Sequence, residues 1–250
     1  MLIDIVKSLC QNQSVKKCNP LISVITCTYN SKKFLKQCLD SVSQQTYKNI
    51  EHIIVDGYST DNTLEIIQNY INTNKKYKII LIKSEPKGIA NALNIGITKS
   101  HGEIIHFVHS DDFYYTNNAL QKVVKYFEQN PKINWILGNH VFSIYNKNII
   151  LPNTFITDLL GKRFLSFFPW MSHQNMFMKK NIYDKYGLFD EKYKNNLDYD
   201  QWLRIINYEP ILFIRDNFSV FRVHRKSTTF NPQNFFRWLQ EYRHLTSVIR

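Results

Sequence analysis

The sequence predicts a single compact α/β unit with a mainly parallel sheet, and three observations lead to that prediction. Across residues 21–130, short apolar runs rich in β-branched residues alternate with segments of helical periodicity. The chain has 250 residues, of which 44% are hydrophobic, so it can bury a sizeable core. It contains only 7 glycines and 7 prolines and no Ser/Gly-rich or Pro-rich stretch, so we expect no flexible linker between independent domains.

The elements of the first half follow from their patterns in chain order. Apolar runs bounded by turn residues predict strands at 21–28, 51–55, 78–83 and 103–108. Apolar residues that recur every three or four positions predict helices at 29–42, 63–70, 90–98 and 118–128. Alternating strands and helices favour a parallel sheet, whose ligand crevice lies beyond the carboxyl ends of its strands. We therefore expect the acidic residues that follow the second and fourth strands to face one crevice.

The remaining segments are less regular. Residues 1–19 predict an N-terminal helix and a linker, and residues 135–142 predict a further strand. After Pro152 the sequence is rich in aromatic residues, centred on 164–170. We expect residues 131–225 to form a half of the chain that is distinct from the alternating pattern before it.

The C-terminal tail predicts a basic amphipathic helix. Apolar side chains recur there at helical intervals: Phe235, Trp238, Tyr242, Leu245 and Ile249. Arginines occupy the other faces, so the helix either lies in the interface of an anionic bilayer or packs on the protein core, and both alternatives stay open. The periodicity still runs at Arg250, which leaves open whether the natural chain continues.

Charge and cysteine usage narrow the class of protein. The 32 Lys and Arg residues outnumber the 20 Asp and Glu residues, and the formal net charge of +12 favours anionic partners. Cys10, Cys18, Cys27 and Cys38 form no C-x-x-C pair, which argues against a zinc site or a disulfide framework and favours a reduced cytosolic compartment. Without an apolar run of about 18 residues or a signal peptide, we expect a cytoplasmic protein that associates at most peripherally with the membrane.

Acidic residues follow two of the predicted strands. Asp56 ends the second strand and opens a Gly/Ser/Thr/Asp turn, where its carboxylate can bind a nucleobase or ribose or act only as a helix cap. Asp111 and Asp112 follow the fourth strand as adjacent like charges, which a divalent cation would relieve. Mg²⁺ and Mn²⁺ prefer carboxylate oxygens and keep positions open for diphosphate oxygens. The alternative is a solvated turn or a cap for the next helix.

Four motifs in register carry a family resemblance: 23–30 (SVITCTYN), 56–61 (DGYSTD), 110–112 (SDD) and 197–204 (LDYDQWLR). In this order and spacing the chain resembles the family 2 glycosyltransferases of the GT-A fold, especially the bacterial polysaccharide-assembly type, over about residues 21–225. The resemblance implies a nucleotide-sugar-binding half at 21–130 and an acceptor-binding half at 131–225 within one GT-A domain. A 1–20 extension and a helical tail at 226–250 flank them.

The resemblance also implies roles for individual residues. It places the donor nucleotide at Thr28, Tyr29, Asn30, Asp56, Lys87 and Asp111, with Tyr29 stacked on the base. It places the metal at Asp112 and His224, and the acceptor at His173 and Gln174. Non-functional alternatives remain for four of them: a solvated surface lysine at 87, a surface histidine at 224, and a polar loop packed on aromatics at 173–174.

The catalytic base implied by the resemblance is Asp198. An acceptor hydroxyl loses a proton as it attacks the anomeric carbon, so one carboxylate must lie within hydrogen-bond reach of it. Asp200 is expected to be a helix-start or structural acid, and Arg204 to form an ion pair on the same helix. Two positions depart from the family pattern: Asn91 stands where relatives often carry an acid, and Leu197 replaces the first acid of a usual Glu-Asp pair.

These observations together predict an inverting glycosyltransferase. It would use Mn²⁺ or Mg²⁺ to move a sugar from a nucleotide-diphosphate donor, expected to be a UDP-sugar, to a hydroxyl of a glycan or lipid-linked acceptor. One rival is a nucleic-acid-binding protein, suggested by the pI of about 9.4, but no helix-turn-helix, zinc-finger or RNP-like motif is present and we expect no nucleic-acid partner. A second rival is a catalytically degenerate scaffold that only binds the donor.

Overall fold

A computed structural model describes residues 19–144, 147–152, 173–224 and 234–248. The expected N-terminal helix, the aromatic segment at 164–170 and the first part of the tail lie outside these described residues. Within the described part, none of the helices combines the length and the apolar character that a membrane span requires.

The first half alternates strands and helices as expected: β1 (Ile22–Thr28), α1 (Leu35–Ser43), β2 (Ile50–Asp56), α2 (Thr63–Thr73), β3 (Lys78–Lys83), α3 (Ile89–Lys99) and β4 (Ile104–Phe107). The second half continues with β5 (Phe113–Tyr114), α4 (Ala119–Gln129), β6 (Trp135–Leu137), β7 (His140–Ile144), β8 (Lys147–Leu151), a 3₁₀ turn (His173–Asn175), β9 (Met176–Lys179), α5 (Asn181–Tyr186), α6 (Leu197–Ile205), β10 (Ile211–Phe213), β11 (Ser219–Arg222) and α7 (Phe235–Val248). The fold is a mixed α/β fold with a central, mostly parallel sheet, as the sequence predicted.

Seven strands form the central sheet in the order β10-β6-β9-β4-β1-β2-β3. The strands β3, β2, β1 and β4 run parallel, whereas β9 pairs antiparallel with both β4 and β6. A smaller sheet has the order β5-β11-β7-β8 and brings the late strand β11 beside β5, directly after the acidic pair. A single sheet thus runs through both halves of the chain, and β5 of the second sheet follows β4 of the first in the sequence.

The core lies on both faces of the central sheet. Every residue of β1 and β2 is buried, as is usual for parallel strands covered by helices on both sides. One apolar cluster joins the sheet to α3, α5, α6 and α7, and a second joins it to α1 and α4. These two layers fix the carboxyl ends of the strands, where the acidic residues lie.

Two expectations about element bounds were wrong. Residues 135–142 do not form one strand, because the chain leaves the central sheet at Gly138 and enters the smaller sheet as β7. A Cβ at Gly138 would lie 2.4 Å from the ring of Phe218, so only glycine allows this close approach. The first helix begins at Leu35 and not at residue 29, since Asn30 adopts a left-handed backbone with φ of 49°.

Candidate active site

The carboxyl ends of β1 and β2 meet at a polar turn centred on Asp56. Thr28 lies opposite Asp56 in the strand register, and its hydroxyl donates a 2.8 Å hydrogen bond to Asp56 Oδ2. The backbone N–H of Ser59 donates to Asp56 Oδ1 at 2.9 Å, and the Ser59 hydroxyl donates to Oδ2 at 2.6 Å. Asp56 is fully buried, so in this structure it organises the turn, and its contact with a nucleobase stays a prediction.

Exposed aromatic rings lie above this turn. Tyr29 is 59% exposed and Tyr58 is 50% exposed. Tyr29 directly follows the end of β1, and Tyr58 lies two residues after the end of β2. A Cβ at Gly57 would lie only 3.1 Å from the Tyr29 ring, so the ring rests on the glycine backbone. Asn30 secures the loop, because its side-chain oxygen accepts the Thr60 N–H at 2.9 Å. Tyr29 is thus presented as an open flat surface on which a planar base can stack.

The acidic pair follows β4, with its two carboxylates in different surroundings. Asp111 is half-buried, and its Oδ2 accepts a 2.9 Å hydrogen bond from Nε2 of His224. Asp112 is buried, and its Oδ1 accepts the backbone N–H of Arg222 at 2.8 Å. Within the described residues, Oδ2 of Asp112 has no hydrogen-bond partner. Burial, followed by the neighbouring charge of Asp111, raises the pKa of Asp112 well above its usual value.

Arg222 and His224 reach the acidic pair from the smaller sheet. The Arg222 Nε donates to the Asp111 carbonyl at 2.9 Å, and its guanidinium lies over the rings of Phe34 and Phe113. His224 was expected from the resemblance, whereas Arg222 was missed. The sequence signal that points to Arg222 is the group of basic residues around His224, at 222–226. Arg222 therefore places a fixed positive charge beside Asp111 and Asp112.

His173 and Gln174 lie next to the same acidic pair. The His173 ring is 5.9 Å from that of His109, and burial lowers the pKa of His173 well below its usual value, so it is neutral at physiological pH. Its Nε2 is buried and lacks a hydrogen-bond partner among the described residues. A side-chain hydrogen bond from the amide of Gln174 lowers the pKa of the Asp112 carboxyl. The two predicted acceptor residues and the predicted metal ligand therefore belong to one cluster.

Ser110 connects this cluster to the loop that carries Tyr29 and Asn30. Its hydroxyl donates a 2.8 Å hydrogen bond to the hydroxyl of Ser31, which follows Asn30. The backbone N–H of Ser31 in turn donates to Thr63 Oγ1 at 2.7 Å, at the start of α2. Lys87 is exposed and its backbone N–H bonds to the carbonyl of Glu85. The structure thus brings together Thr28, Tyr29, Asn30, Asp56 and Asp111 around the ends of β1, β2 and β4, and the residue before Lys87, Pro86, would lie 3.3 Å from a Cβ at Gly57.

Asp198 lies in the first turn of α6. It is half-buried, its Oδ1 accepts the Tyr199 N–H at 2.8 Å, and burial raises the pKa of its carboxyl to about 6. The helix is fixed by two large aromatic residues, Tyr199 and Trp202, which are almost completely buried. The Asp200 carboxylate instead forms an ion pair with the guanidinium of Arg204 on the same helix, at 3.0 Å. The expected ion pair of Arg204 is therefore confirmed.

A divalent cation fits the acidic pair when diphosphate oxygens complete its coordination. Across the described residues, no three His, Cys, Asp or Glu side chains gather closely enough to hold an ion by themselves. The buried Oδ2 of Asp112, with its raised pKa and its lack of a partner, is the atom that a cation would satisfy. In this structure Nε2 of His224 bonds to Oδ2 of Asp111.

Comparison with known proteins decides the family. The sequence model of glycosyl transferase family 2 matches residues 23–211. The chain belongs to this family. This glycosyltransferase is 29% identical over 239 residues to an uncharacterized glycosyltransferase of Rickettsia typhi, covering 92% of this chain and 71% of the relative.

Solved structures identify the fold as GT-A. The glycosyltransferase matches S. aureus TarS 1–349 in complex with UDP-GlcNAc, with a TM-score of 0.71 and 21% identity over 91% of this chain. It also matches the mannosyltransferase PcManGT from Pyrobaculum calidifontis in complex with GDP-Man and Mn²⁺, with a TM-score of 0.67 and 19% identity over 92% of this chain. The chain spans 66% of the TarS chain and 70% of the PcManGT chain. At these identities the likeness establishes the fold alone.

Proposed function

We propose that this glycosyltransferase transfers a sugar, with inversion, from a nucleotide-diphosphate donor to a hydroxyl of a glycan or lipid-linked acceptor. The observation that carries the proposal is the acidic pair of half-buried Asp111 and buried Asp112, linked through Ser110 and Ser31 to the loop of the exposed Tyr29, at the carboxyl edge of a parallel sheet. Tyr29 suits a planar base, Asp112 suits a cation, and the positive charge of Arg222 suits a diphosphate. UDP is the proposed nucleotide, since TarS is solved with UDP-GlcNAc, although the GDP-Man of PcManGT makes GDP the alternative to test.

The donor would bind across the ends of β1, β2 and β4. Tyr29 stacks on the base, while Thr28, Asn30 and Asp56 hold and line the loop that presents it. Asp111 binds the ribose, and Lys87 adds a point charge near the diphosphate. Arg222 contributes a positive charge at the same place, because its guanidinium is bonded to the Asp111 carbonyl.

Asp112 and His224 would hold Mn²⁺ or Mg²⁺ together with oxygens of the diphosphate. When bound, such an ion stabilises the negative charge that develops on the leaving nucleotide diphosphate. His224 now bonds to Asp111, so binding would require its ring to exchange that contact for the ion. The raised pKa of Asp112 means that ion binding and deprotonation of this carboxyl are coupled.

Asp198 would act as the general base in a single displacement. Its carboxylate accepts the proton of the acceptor hydroxyl while the hydroxyl oxygen forms a bond to the anomeric carbon. The bond between that carbon and the diphosphate oxygen breaks, and the nucleotide diphosphate leaves with the electron pair, which inverts the configuration. A pKa of about 6 suits this task, because the carboxylate is ionised at neutral pH yet is more basic than an ordinary aspartate. His173 and Gln174 would orient the acceptor.

The molecule would be divided by function within one domain, with donor residues at 21–130, acceptor residues at 131–225 and the tail at 226–250. On the tail, α7 exposes Phe235 and Phe236, which are 56% and 75% accessible. With Arg237 exposed beside them and a net charge of +12, these rings support a peripheral contact with anionic lipid on the cytoplasmic face of a membrane.

The test is a thermal-stability screen of UDP, UDP-GlcNAc and GDP-mannose, each with and without Mn²⁺. A ligand at 100 times its Kd stabilises the folded state by about 2.7 kcal/mol, which raises the Tm by ~5–10 °C for a chain of this size. A shift that requires both a nucleotide and Mn²⁺ supports the proposal. Binding of duplex or single-stranded DNA that weakens steeply with salt, without nucleotide binding, would favour the nucleic-acid alternative. Nucleotide binding without hydrolysis of any donor would favour the scaffold alternative.

A further inference from the structure

A carboxylate from the C-terminal helix binds the start of the helix that carries Asp198. The side chain of Glu241, on α7, accepts the backbone N–H of Lys194 at Oε1, at 2.9 Å. Its Oε2 accepts the backbone N–H groups of Asn195 and Asn196, both at 3.0 Å. These residues directly precede α6, which begins at Leu197. Three successive backbone donors are thus bound by one side chain that lies more than forty residues away in sequence.

The Glu241 carboxylate holds the N-cap residue and the two residues before it, and so adds to the capping of the helix. The first N–H groups of a helix have no partner within it and are normally bound by the side chain of the N-cap residue. Asn196 is the N-cap of α6, yet its side chain makes no cap hydrogen bond. Instead its Nδ2 donates to the carbonyl of Trp238 on α7, at 3.0 Å. Asn196 therefore ties α6 to α7, while Glu241 binds the backbone and places a negative charge at the positive end of the helix.

The α7 helix is packed so that it holds Glu241 in this place. The rings of Tyr199 on α6 and Tyr242 on α7 stack with centroids 5.7 Å apart, and Trp238 stacks on Tyr242 at 5.3 Å. Leu245 is buried in the apolar cluster that contains α6. Of the two alternatives for the tail, the structure shows packing on the protein for this face of the helix. The exposed Phe235 and Phe236 lie at the beginning of the same helix.

We propose that Glu241 is a positioning residue for Asp198: by binding the backbone of residues 194–196, it fixes the first turn of α6 and so aims the catalytic carboxylate. This inference rests on the proposed function of Asp198 as the base. Asp198 is the second residue of α6, two positions after the last N–H that Glu241 binds. A change in the helix start would therefore move its carboxylate directly.

The charge of Glu241 also acts on Asp198. It raises the pKa of the Asp198 carboxyl in addition to the larger effect of burial. The other charged groups nearby have partners of their own: Asp200 is paired with Arg204, and the Lys194 ammonium donates to the carbonyl of Glu191. Removing the charge of Glu241 should therefore lower the pKa of Asp198, which a purely structural role of Glu241 would not require.

The test compares Glu241→Gln, Glu241→Asp and Asp198→Asn with a matched control, Glu128→Gln. Glu128 is an exposed glutamate on α4, which packs in the other apolar cluster. Hydrolysis of UDP-GlcNAc with Mn²⁺ is measured from pH 5 to 9, UDP binding is measured by calorimetry, and amide hydrogen exchange is followed over residues 194–200. The exchange measurement needs no substrate.

Glu241→Gln should lower kcat about 10- to 100-fold with UDP affinity unchanged, since a misplacement of ~1 Å costs on the order of 100-fold. The acid limb of its pH profile of kcat should move to lower pH, and amide hydrogen exchange at residues 194–200 should be faster. Glu241→Asp keeps the charge but shortens the reach, so kcat should fall with a smaller movement of the acid limb. Glu128→Gln should match the wild type.

Wild-type exchange in Glu241→Gln would overturn the proposal, as would a wild-type kcat and acid limb in that variant while Asp198→Asn is inactive. Loss of the folded state in both Glu241 variants, judged by circular dichroism, would assign the residue to stability alone and would also overturn it. Normal turnover by Asp198→Asn would reject the proposed base itself, which separates the failure of the proposed function from the failure of this inference.

Discussion

Replacing Asp198 by asparagine should make the protein more stable at neutral pH while greatly slowing its chemistry. Burial raises the pKa of Asp198 from the ordinary 3.8 to about 6, so the fold favours the protonated carboxyl. The stability that comes from binding this proton is complete below pH 3.8 and is lost as the pH rises through about 6. Asparagine resembles the neutral acid in size and cannot ionise, so it does not carry this loss.

The magnitude follows from the size of the pKa change. A difference of one pKa unit corresponds to ~1.36 kcal/mol, so a rise from 3.8 to about 6 sets a ceiling of ~3 kcal/mol. Because Asp198 is half-buried and solvent screens its charge, we expect on the order of 1–2 kcal/mol. For a chain of this length that gain raises the Tm by ~2–8 °C. The difference between variant and wild type should be fully developed above pH 6 and should shrink toward pH 4.

The assay is thermal unfolding of the wild type, Asp198→Asn and Asp184→Asn at pH values from 4.5 to 8. Asp184 is an exposed aspartate on α5, and its replacement should change stability by no more than about 0.5 kcal/mol. Donor hydrolysis by Asp198→Asn should fall ~10²- to 10⁴-fold, as expected for loss of a general base. An Asp198→Asn variant that is less stable than the wild type at pH 7.5, or whose difference does not vary with pH, would refute the reasoning.

Three further predictions address the donor site and the tail. Asp112→Asn should remove the Mn²⁺ dependence of UDP binding in calorimetry, and an undiminished effect of EDTA on the variant would contradict the metal assignment. Tyr29→Ala should weaken UDP binding by ~1–3 kcal/mol through lost base stacking, whereas Tyr208→Ala, which removes another exposed ring, should leave the Kd unchanged. The double change Phe235→Ser with Phe236→Ser should reduce sedimentation with anionic liposomes without affecting UDP binding, and equal sedimentation of both forms would reject an interfacial tail.

Local patterns in the sequence were sufficient to predict the first half of the fold. The strands at β1 to β4 were found within about two residues, because each is a short apolar run between turn residues. The alternation of strands with helices then implied the parallel order. The ion pair of Asp200 with Arg204 was also predictable, since residues four apart on a helix are neighbours.

The features that were missed depend on contacts between distant parts of the chain. The antiparallel insertion of β9 between β4 and β6 has no local signal, because its residues Met176–Lys179 look like any short apolar strand. The break at Gly138 depends on the ring of Phe218, eighty residues later. Arg222 and Glu241 likewise gain their partners only when late elements return to earlier ones.

Both departures from the family pattern are accompanied by a carboxylate that comes from elsewhere in the chain. Asn91 stands where relatives often have an acid, and its Nδ2 donates to the carboxylate of Glu191 at 3.0 and 3.2 Å. Leu197 replaces the first acid of the usual pair and is buried in the core, so it exerts no charge on Asp198. The negative charge that acts on Asp198 comes instead from Glu241. Glu241 also binds the backbone just before Leu197, so under our proposal the docking of α7 on α6 helps to place Asp198, while burial remains the largest cause of its raised pKa.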